Sequence, residues 1–398
     1  MKIILAPDSF KGSLASMDVA AAMETGIKRV IPGAECIIIP MADGGEGTVR
    51  SLLDAAGGEL ISCTVKGPAG RRVNAGYGIL ADNRTAVIEM AAASGLSLVS
   101  GSSRNPLKTT TFGTGELMCH ALDRGVETII LGIGGSATND AGVGMAQALG
   151  AVFRDGGGRV IRRNGAGGML QDIESVDLQG LHPGLRNTRV LVACDVDNPL
   201  SGKNGAAHVF APQKGADAAM VKILDKNLKH LAGVIKRELG VDVDKAPGAG
   251  AAGGLGAGLL VFAGAELKSG IEIISKATAI ETHLRTADLV FTGEGRVDFQ
   301  TAFGKTPAGI ARLAGEYGVP VIAIGGGLAD DAGAAFNHGI NGLEAAIARD
   351  MPLDEALANS GEYIANAAER AIRLIKIGQS MKKNPQMMQV DLSTDDAD

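Results

Sequence analysis

Short apolar runs, each ending at a polar loop just before a helical pattern, constrain the fold of this chain most. Lys2–Ala6 is one such run, a helical stripe follows over 16–29, and Cys36–Ile39 starts the cycle again. Strands and helices in alternation predict a parallel sheet with crossover helices. The same pattern returns from Asp288 onward, so we predict a Rossmann-like domain assembled from two distant stretches of the chain.

The intervening stretch has a different character. Segments 60–66, 72–80 and 84–91 are short, alternate in polarity and are joined by turns, which is typical of antiparallel hairpins. Further along, 218–239 has the period of a long amphipathic helix.

These two patterns predict an α/β protein of two domains. The Rossmann-like parallel-sheet domain takes residues 1–58 and 280–378, and a mixed α/β domain is inserted at 59–279. The polar stretch 379–398 is expected to form a disordered tail.

The composition excludes several classes of function. The 58 glycines have no Gly-X-Y period and indicate tight turns and close backbone approaches, which phosphate-binding loops need. A net charge of −6 without a basic block is not typical of a nucleic-acid-binding protein. The six histidines do not cluster, which disfavours zinc chemistry. No signal peptide or membrane span is recognisable, so we expect a cytoplasmic protein with no membrane partner.

A carboxylate, hydroxyls and a lysine follow the first predicted strand. Asp8, Ser9 and Lys11 lie in the motif APDSFKGS, at the point where ligands bind outside the carboxyl ends of strands in open α/β sheets. Such a set can hold a metal, a phosphate or a substrate acid. The structural alternative makes Ser13 or Ser16 a helix N-cap.

A second acidic loop, MADGGEGT, follows the second strand. Gly44 and Gly45 expose backbone N–H groups in front of a helix, whose dipole favours anions. Asp43 and Glu46 disfavour a bare phosphate at this point, so we predict that a metal ion mediates the binding.

Two further strand ends lie in the inserted domain. Gly134, Gly135 and Ser136, with Asn139 behind them, offer backbone and side-chain donors to a phosphate. Asp195, Asp197 and Asn198 place two carboxylates and an amide at a strand end, and such oxygen ligands suit Mg²⁺. A carboxylate there can also accept a proton from a substrate hydroxyl. An Asx turn before the following proline is the structural alternative.

The glycine-rich stretch before the last helix of the inserted domain contains a literal G-x-G-x-x-G, with glycines at 248, 250 and 253. No apolar strand precedes it, so we interpret Gly250, Gly253 and Gly254 as part of a nucleotide-phosphate loop and not as a dinucleotide fingerprint.

The last motif combines Glu294 and Arg296 with Lys305, in TGEGR and GKTP. The first glycine of a P-loop would have to stand at position 299, which is Phe299, so this is not a P-loop. The two cations remain candidates for binding phosphate or carboxylate, and arginine suits bidentate contacts better.

In this order, the motifs resemble the bacterial type I glycerate kinase family. The resemblance covers residues 1 to about 378 and rests on APDSFKGS, MADGGEGT, GIGGSATNDAGVG, CDVDNPLSGKNGA with APQKGA, PGAGAAGGLGAG and TGEGRVDFQTAFGKTP. It implies ATP-dependent phosphorylation of D-glycerate to 2-phosphoglycerate and ADP, with Mg²⁺ as cofactor. It also implies two α/β domains with the active site in the cleft between them.

Within that resemblance we assign roles as hypotheses. Asp195 is the proton acceptor or substrate orienter, and Asp8, Asp43 and Asp195 lie near the metal. The cations that bind the glycerate carboxylate or neutralise the transferred phosphate are Lys11, Arg296 and Lys305. Substrate and phosphate contacts are assigned to Ser9, Gly44, Gly45, Gly134, Gly135, Ser136, Asn139, Asn198, Gly250, Gly253, Gly254 and Glu294.

Other functions remain open from the residues alone. They are a kinase for another small hydroxy acid or one that forms 3-phosphoglycerate, a NAD-dependent hydroxy-acid dehydrogenase, and a catalytically silent nucleotide-binding regulator. The expected partners are the small molecules glycerate and ATP, and a homodimer is left open.

Overall fold

The computed structural model describes residues 1–42, 44–298, 301 and 306–383. The strands are β1 (Lys2–Leu5), β2 (Glu35–Ile38), β3 (Gly58–Lys66), β4 (Arg72–Leu80), β5 (Thr85–Glu89), β6 (Thr128–Gly132), β7 (Val152–Arg154), β8 (Ser175–Asp177), β9 (Arg189–Ala193), β10 (Glu266–Lys268), β11 (Leu289–Val297), β12 (Val321–Leu328) and β13 (Gly342–Ala345).

The helices alternate with these strands over most of the chain. They are α1 (Ser16–Val30), α2 (Thr48–Ala56), α3 (Ala91–Ser94), α4 (Phe112–Leu122), α5 (Val143–Ala148), α6 (Ala206–Phe210), α7 (Ala218–Leu239), α8 (Ala251–Phe262), α9 (Gly270–Ala277), α10 (Ile280–Leu284), α11 (Thr306–Glu316), α12 (Leu353–Ala358) and α13 (Ser360–Lys383).

Contacts divide the chain into two compact units. Of the described residues, the first unit holds Met1–Pro40 and those from Glu281 onward, and the second unit holds those within Met41–Ile280. Residues 41–58, predicted to belong to the first domain, lie in the second unit, because α2 packs on β4 and β5.

The first unit is built on a parallel sheet. Its strand order is β13-β12-β11-β1-β2, and each neighbouring pair runs parallel. Buried side chains of the sheet, such as Leu5 and Phe291, form one core with Met23 of α1 and Ile364 of α13. The predicted α/β fold with a parallel sheet is confirmed.

The second unit has a mixed sheet with the order β10-β9-β6-β5-β4-β3. The pairs from β10 to β5 are parallel, whereas β4 pairs antiparallel with both β5 and β3. The predicted hairpins are therefore present, with the difference that β5 also continues the parallel part. A small antiparallel pair, β7 and β8, lies apart from this sheet.

The register of the parallel part aligns four strand ends. Glu89 pairs with Gly132, Gly132 with Ala193, and Ala193 with Lys268. The loops that follow β5, β6, β9 and β10 therefore leave from one edge of the sheet, the carboxyl edge at which α/β proteins bind ligands.

Several local predictions need correction. Neither predicted serine caps α1: Ala15 is the N-cap residue, and Ser13 Oγ donates to Ser360 Oγ at 2.6 Å. The predicted tail 379–398 is wrong at its start, because 379–383 continue α13. Its remaining residues, 384–398, lie outside the described part of the chain.

Within the described residues, no helix combines the length and the apolar character needed to cross a membrane.

The contact of α1 with α13 generates a first prediction. A Cβ on Gly26 would collide with the carbonyl group of Ala365, so Gly26→Ala must push the two helices apart. We expect the free energy of unfolding to fall by about 1–3 kcal/mol, measured by urea titration.

A matched control is available in α11. Gly315 is helical and exposed, with open space where its Cβ would be, so Gly315→Ala should stabilise by up to about 1 kcal/mol. Equal effects of the two substitutions would contradict the packing argument.

Candidate active site

Asp8 of the first unit lies just past the end of β1 and is 8% exposed. Its Oδ1 accepts the Ser9 N–H at 2.6 Å, and its Oδ2 accepts the Thr306 hydroxyl at 2.9 Å. The Asp8 N–H donates to the Gly293 carbonyl of β11 at 2.9 Å. The loop after β1 is thereby fixed to the neighbouring strand and to the start of α11.

Strand β11 carries two of the predicted site residues. Glu294 and Arg296 pair with Gly325 and Gly327 of β12, and because they are two residues apart they lie on the same face of the sheet. Thr301 donates its hydroxyl to Glu294 Oε1 at 2.6 Å.

Lys11 lies close to this strand. An added Cβ on Gly295 would lie 3.5 Å from the Lys11 backbone nitrogen, so the Lys11 loop runs alongside β11. Both Lys11 and Arg296 are exposed. The structure therefore brings the APDSFKGS and TGEGR motifs together. The predictions for Asp43 and Lys305 lie outside the described residues.

In the second unit, the glycines of the predicted loops pack backbone against backbone. A Cβ on Gly44 would collide with Ala193, and one on Gly134 would lie 2.8 Å from the Cα of Gly45. A Cβ on Gly253 would collide with the Thr138 carbonyl oxygen. Loops that the sequence presents separately thus form one cluster at the carboxyl edge of the sheet.

The glycine-rich stretch at the start of α8 serves this packing. Gly250, Gly253 and Gly254 are buried, and the N–H groups of Gly250 and Gly254 donate to the Asn198 and Gly250 carbonyls. Ala252, Gly253 and Gly254 have φ of 52°, 72° and 87°, so the regular helix begins only after them. The structure favours a packing role over phosphate binding for these three glycines.

The same stretch bears on the dinucleotide alternative. It follows α7 and a loop, and no described strand lies between Leu239 and Gly250. A dinucleotide fingerprint requires a strand immediately before its first glycine. The context therefore disfavours the NAD-dependent dehydrogenase.

Asp195 and Asn198 follow β9. Asp195 is exposed, and its Oδ1 accepts the Gly270 N–H at 3.0 Å, at the start of α9. A carboxylate is stabilised at a helix N-terminus by the helix dipole. The Asn198 side chain donates to the Asn204 carbonyl at 2.8 Å, so it shapes the loop in which it lies.

Lys214 was not among the predicted site residues. It is 1% exposed, and its Nζ donates to Ser136 Oγ and to the Thr138 carbonyl, both at 2.7 Å. Burial lowers the pKa of Lys214 to about 7, and the charge of Asp140 opposes this shift. The available signal was a lysine in the run Ala211-Pro212-Gln213-Lys214-Gly215-Ala216, which has no other charge.

Asp140 lies near the end of the loop that follows β6, the same loop that contains Ser136 and Thr138. It is fully buried and accepts the Thr111 N–H and hydroxyl, both at 2.8 Å, as well as the N–H groups of Gly142 and Gly144. Burial raises the pKa of this carboxyl group. Beside it, both polar atoms of the buried Asn139 amide have no partner among the described residues.

Glu89, at the end of β5, was also missed. It accepts the Val49 N–H of α2 at 2.8 Å. Burial, together with the nearby charge of Glu46, raises the pKa of Glu89. The N-terminus of α2, predicted to attract an anion, is thus already capped by a carboxylate of the protein.

Comparison with known proteins shows which family the chain belongs to. The model of the glycerate kinase family matches residues 3–376. The chain belongs to the glycerate kinase family. That membership confirms the predicted resemblance and the prediction of a phosphotransferase enzyme.

Relatives with the glycerate kinase name align over nearly their whole length. Glycerate kinase of Bacillus subtilis is 51% identical over 96% of this chain and 99% of its own. Glycerate 2-kinase of Escherichia coli is 50% identical over 95% of this chain and 99% of its own. A crystal structure assigned to glycerate kinase 2 of Salmonella typhimurium superposes with a TM-score of 0.87 at 49% identity, covering 96% and 99% of the two chains.

The residues of this glycerate kinase family member suit Mg²⁺ by their chemistry. Among the described residues, no group of three or more Asp, Glu, His or Cys side chains is gathered closely enough to hold a metal. Mg²⁺ needs only one or two protein carboxylates when substrate phosphates complete its shell. In the first unit Asp8 has a carboxylate of this kind, and in the second unit Asp195 has one as well.

The buried amine of Lys214 generates a prediction of pH dependence. Its folded-state pKa of about 7 lies below the usual value of 10.5, so above pH 7 the unfolded chain holds a proton that the folded protein lacks. Stability must therefore rise with pH in that window. We expect the free energy of unfolding of the wild type to rise relative to Lys214→Met by up to about 1.4 kcal/mol per pH unit between pH 7 and 9.

The measurement is urea unfolding of both proteins at pH 6, 7, 8 and 9. Lys236→Met is the control, because the hydrogen bond that Lys236 donates to Asp242 raises the pKa of Lys236 and that lysine stays charged in both states. A constant difference between wild type and Lys214→Met would refute the buried-amine argument.

Proposed function

We propose that this protein transfers the γ-phosphoryl group of ATP to the 2-hydroxyl of D-glycerate, giving 2-phosphoglycerate and ADP. The observation that carries the proposal is the 50% identity with a glycerate 2-kinase over 95% of the chain. The chemical inventory supports it, because phosphoryl transfer depends on positioning and on charge neutralisation more than on covalent catalysis.

Two cations of the first unit are suited to neutralise negative charge on the substrates during phosphoryl transfer. Lys11 and Arg296 are exposed cations on adjacent segments, and arginine binds carboxylate or phosphate oxygens in a bidentate manner. We assign them to the glycerate carboxylate and the transferred phosphoryl group. Asp8 is assigned to Mg²⁺, which supplies positive charge to the nucleotide phosphates when it is bound.

In the second unit, the loop Gly134–Ser136 is assigned to a nucleotide phosphate. The Gly134 N–H donates to the Gly44 carbonyl, whereas no described acceptor binds the N–H groups of Gly135 and Ser136. Gly135 is exposed. Adjacent N–H groups after a strand are suitable donors for an anion.

Asp195 is assigned to the substrate hydroxyl. Its carboxylate is exposed at the end of β9 and is held by the Gly270 N–H. A carboxylate in this position can accept the hydroxyl proton as the oxygen attacks phosphorus.

The substitution Asp195→Asn tests this role. Asparagine keeps an oxygen for the Gly270 N–H but cannot accept a proton, so we expect kcat to fall by roughly 10²–10⁴-fold with little change in melting temperature. Asp197→Asn removes the same charge from the same exposed loop and should leave kcat within a few-fold. Near-normal turnover of Asp195→Asn would exclude it as the base.

The reaction itself is tested with D-glycerate, ATP and Mg²⁺, following ADP release and adding enolase. Immediate formation of phosphoenolpyruvate is expected, since enolase consumes 2-phosphoglycerate directly. A requirement for added phosphoglycerate mutase would show that the 3-hydroxyl is phosphorylated. ADP release that does not depend on glycerate would reject the substrate.

A further inference from the structure

The contact of Lys214 with Ser136 has a fixed direction when the amine is protonated. A protonated lysine amine offers three donors and no acceptor, and this form prevails below pH 7, because burial lowers the pKa of Lys214 to about 7. Ser136 Oγ therefore accepts from Lys214 Nζ at 2.7 Å, and the hydroxyl hydrogen of Ser136 points away from the lysine. Ser136 is buried with 8% of its surface exposed, and it lies next to the exposed Gly135.

Lys214 also binds the Thr138 carbonyl, but the backbone immediately on either side of Ser136 is held by other contacts. The Leu96 N–H donates to the Gly135 carbonyl at 2.8 Å, and the Ala137 N–H donates to the Ser94 carbonyl at 2.9 Å. These two bonds flank Ser136 on both sides. What Lys214 adds at Ser136 is therefore the orientation of one hydroxyl group.

A buried amine is a costly way to provide this contact. Burying a charged or polar group disfavours folding unless it is hydrogen-bonded and compensated, and burial lowers the pKa of Lys214 to about 7. The fold nevertheless supplies two acceptors and the compensating carboxylate of Asp140. An apolar side chain of similar length would fill the same space without that cost.

We propose that Lys214 is a positioning residue that turns the Ser136 hydroxyl outward as a hydrogen-bond donor to a phosphate oxygen of the bound nucleotide. This rests on the proposed function, in which the loop Gly134–Ser136 binds nucleotide phosphate. Ser136 then touches the ligand, and Lys214 acts only through Ser136.

The test is a double-mutant cycle on ATP binding in the presence of Mg²⁺, measured by isothermal titration calorimetry on the full chain at pH 6, where the Lys214 amine is protonated. Ser136→Ala and Lys214→Met should each raise the Kd for ATP about tenfold, the effect of losing one hydrogen bond to a charged group. The double variant should also lie near tenfold, because the lysine has nothing left to orient. The KM for ATP should rise in each single variant, while kcat changes less.

Tyr77→Phe is the control for general loosening of the second unit. Tyr77 is fully buried on β4, and its hydroxyl bonds His120 Nδ1 at 2.8 Å, away from the loop. Its loss should lower the melting temperature and leave the Kd for ATP unchanged. If Lys214→Met does not fold, Lys214→Gln replaces it, since the shorter side chain cannot reach Ser136 Oγ.

The outcomes separate this inference from the proposed function. A Kd in Lys214→Met equal to the wild-type value, or about a hundredfold rise in the double variant, overturns the positioning role while ATP binding stands. A wild type that binds no ATP overturns the nucleotide site itself and the inference with it. A rise of about tenfold in all three variants supports the proposal.

Discussion

The backbone of Gly253 lies so close to the Thr138 carbonyl that no side chain fits between them, and the loops of the second unit depend on contacts of this kind. Gly134 against Gly45, and Gly250 against Pro199, are further examples. Such contacts leave no gap that a small rotation could use, because packed interiors deform in discrete steps. The side chains of Ser136 and Asp195 are therefore presented from a rigid base.

Buried charge is the second organising factor of that base. Asp140 is part of the loop that follows β6, and the buried amine of Lys214 donates to Ser136 and Thr138 of the same loop. Each is surrounded by hydrogen-bonding partners, since an unpaired buried charge would be far more costly. At the edge of the same sheet, Glu89 neutralises the N-terminus of α2. The buried charges and the N-terminus of α2 thus have their hydrogen-bonding partners within the protein itself, without a substrate.

The sequence was sufficient for features that depend on periodicity. Helix α7 begins and ends at the predicted residues 218 and 239, and Asp8 lies at a strand end as expected. The sequence was insufficient for features that are determined by tertiary contacts. A helical pattern does not say which sheet the helix will cover, so α2 was assigned to the wrong unit. A lone lysine or glutamate looks like surface, so Lys214 and Glu89 were missed.

The topology of the first unit also has a consequence for how the chain is made. Lys2 and Asp288 bond at a separation of 286 residues, and β1 lies between β2 and β11. The second unit is continuous from Met41 to Ile280, so all of it is synthesised before β11. A lone pair of strands such as β1 and β2 is at best marginally stable. The residues of β1 are therefore synthesised before the second unit, yet they complete their sheet only after it.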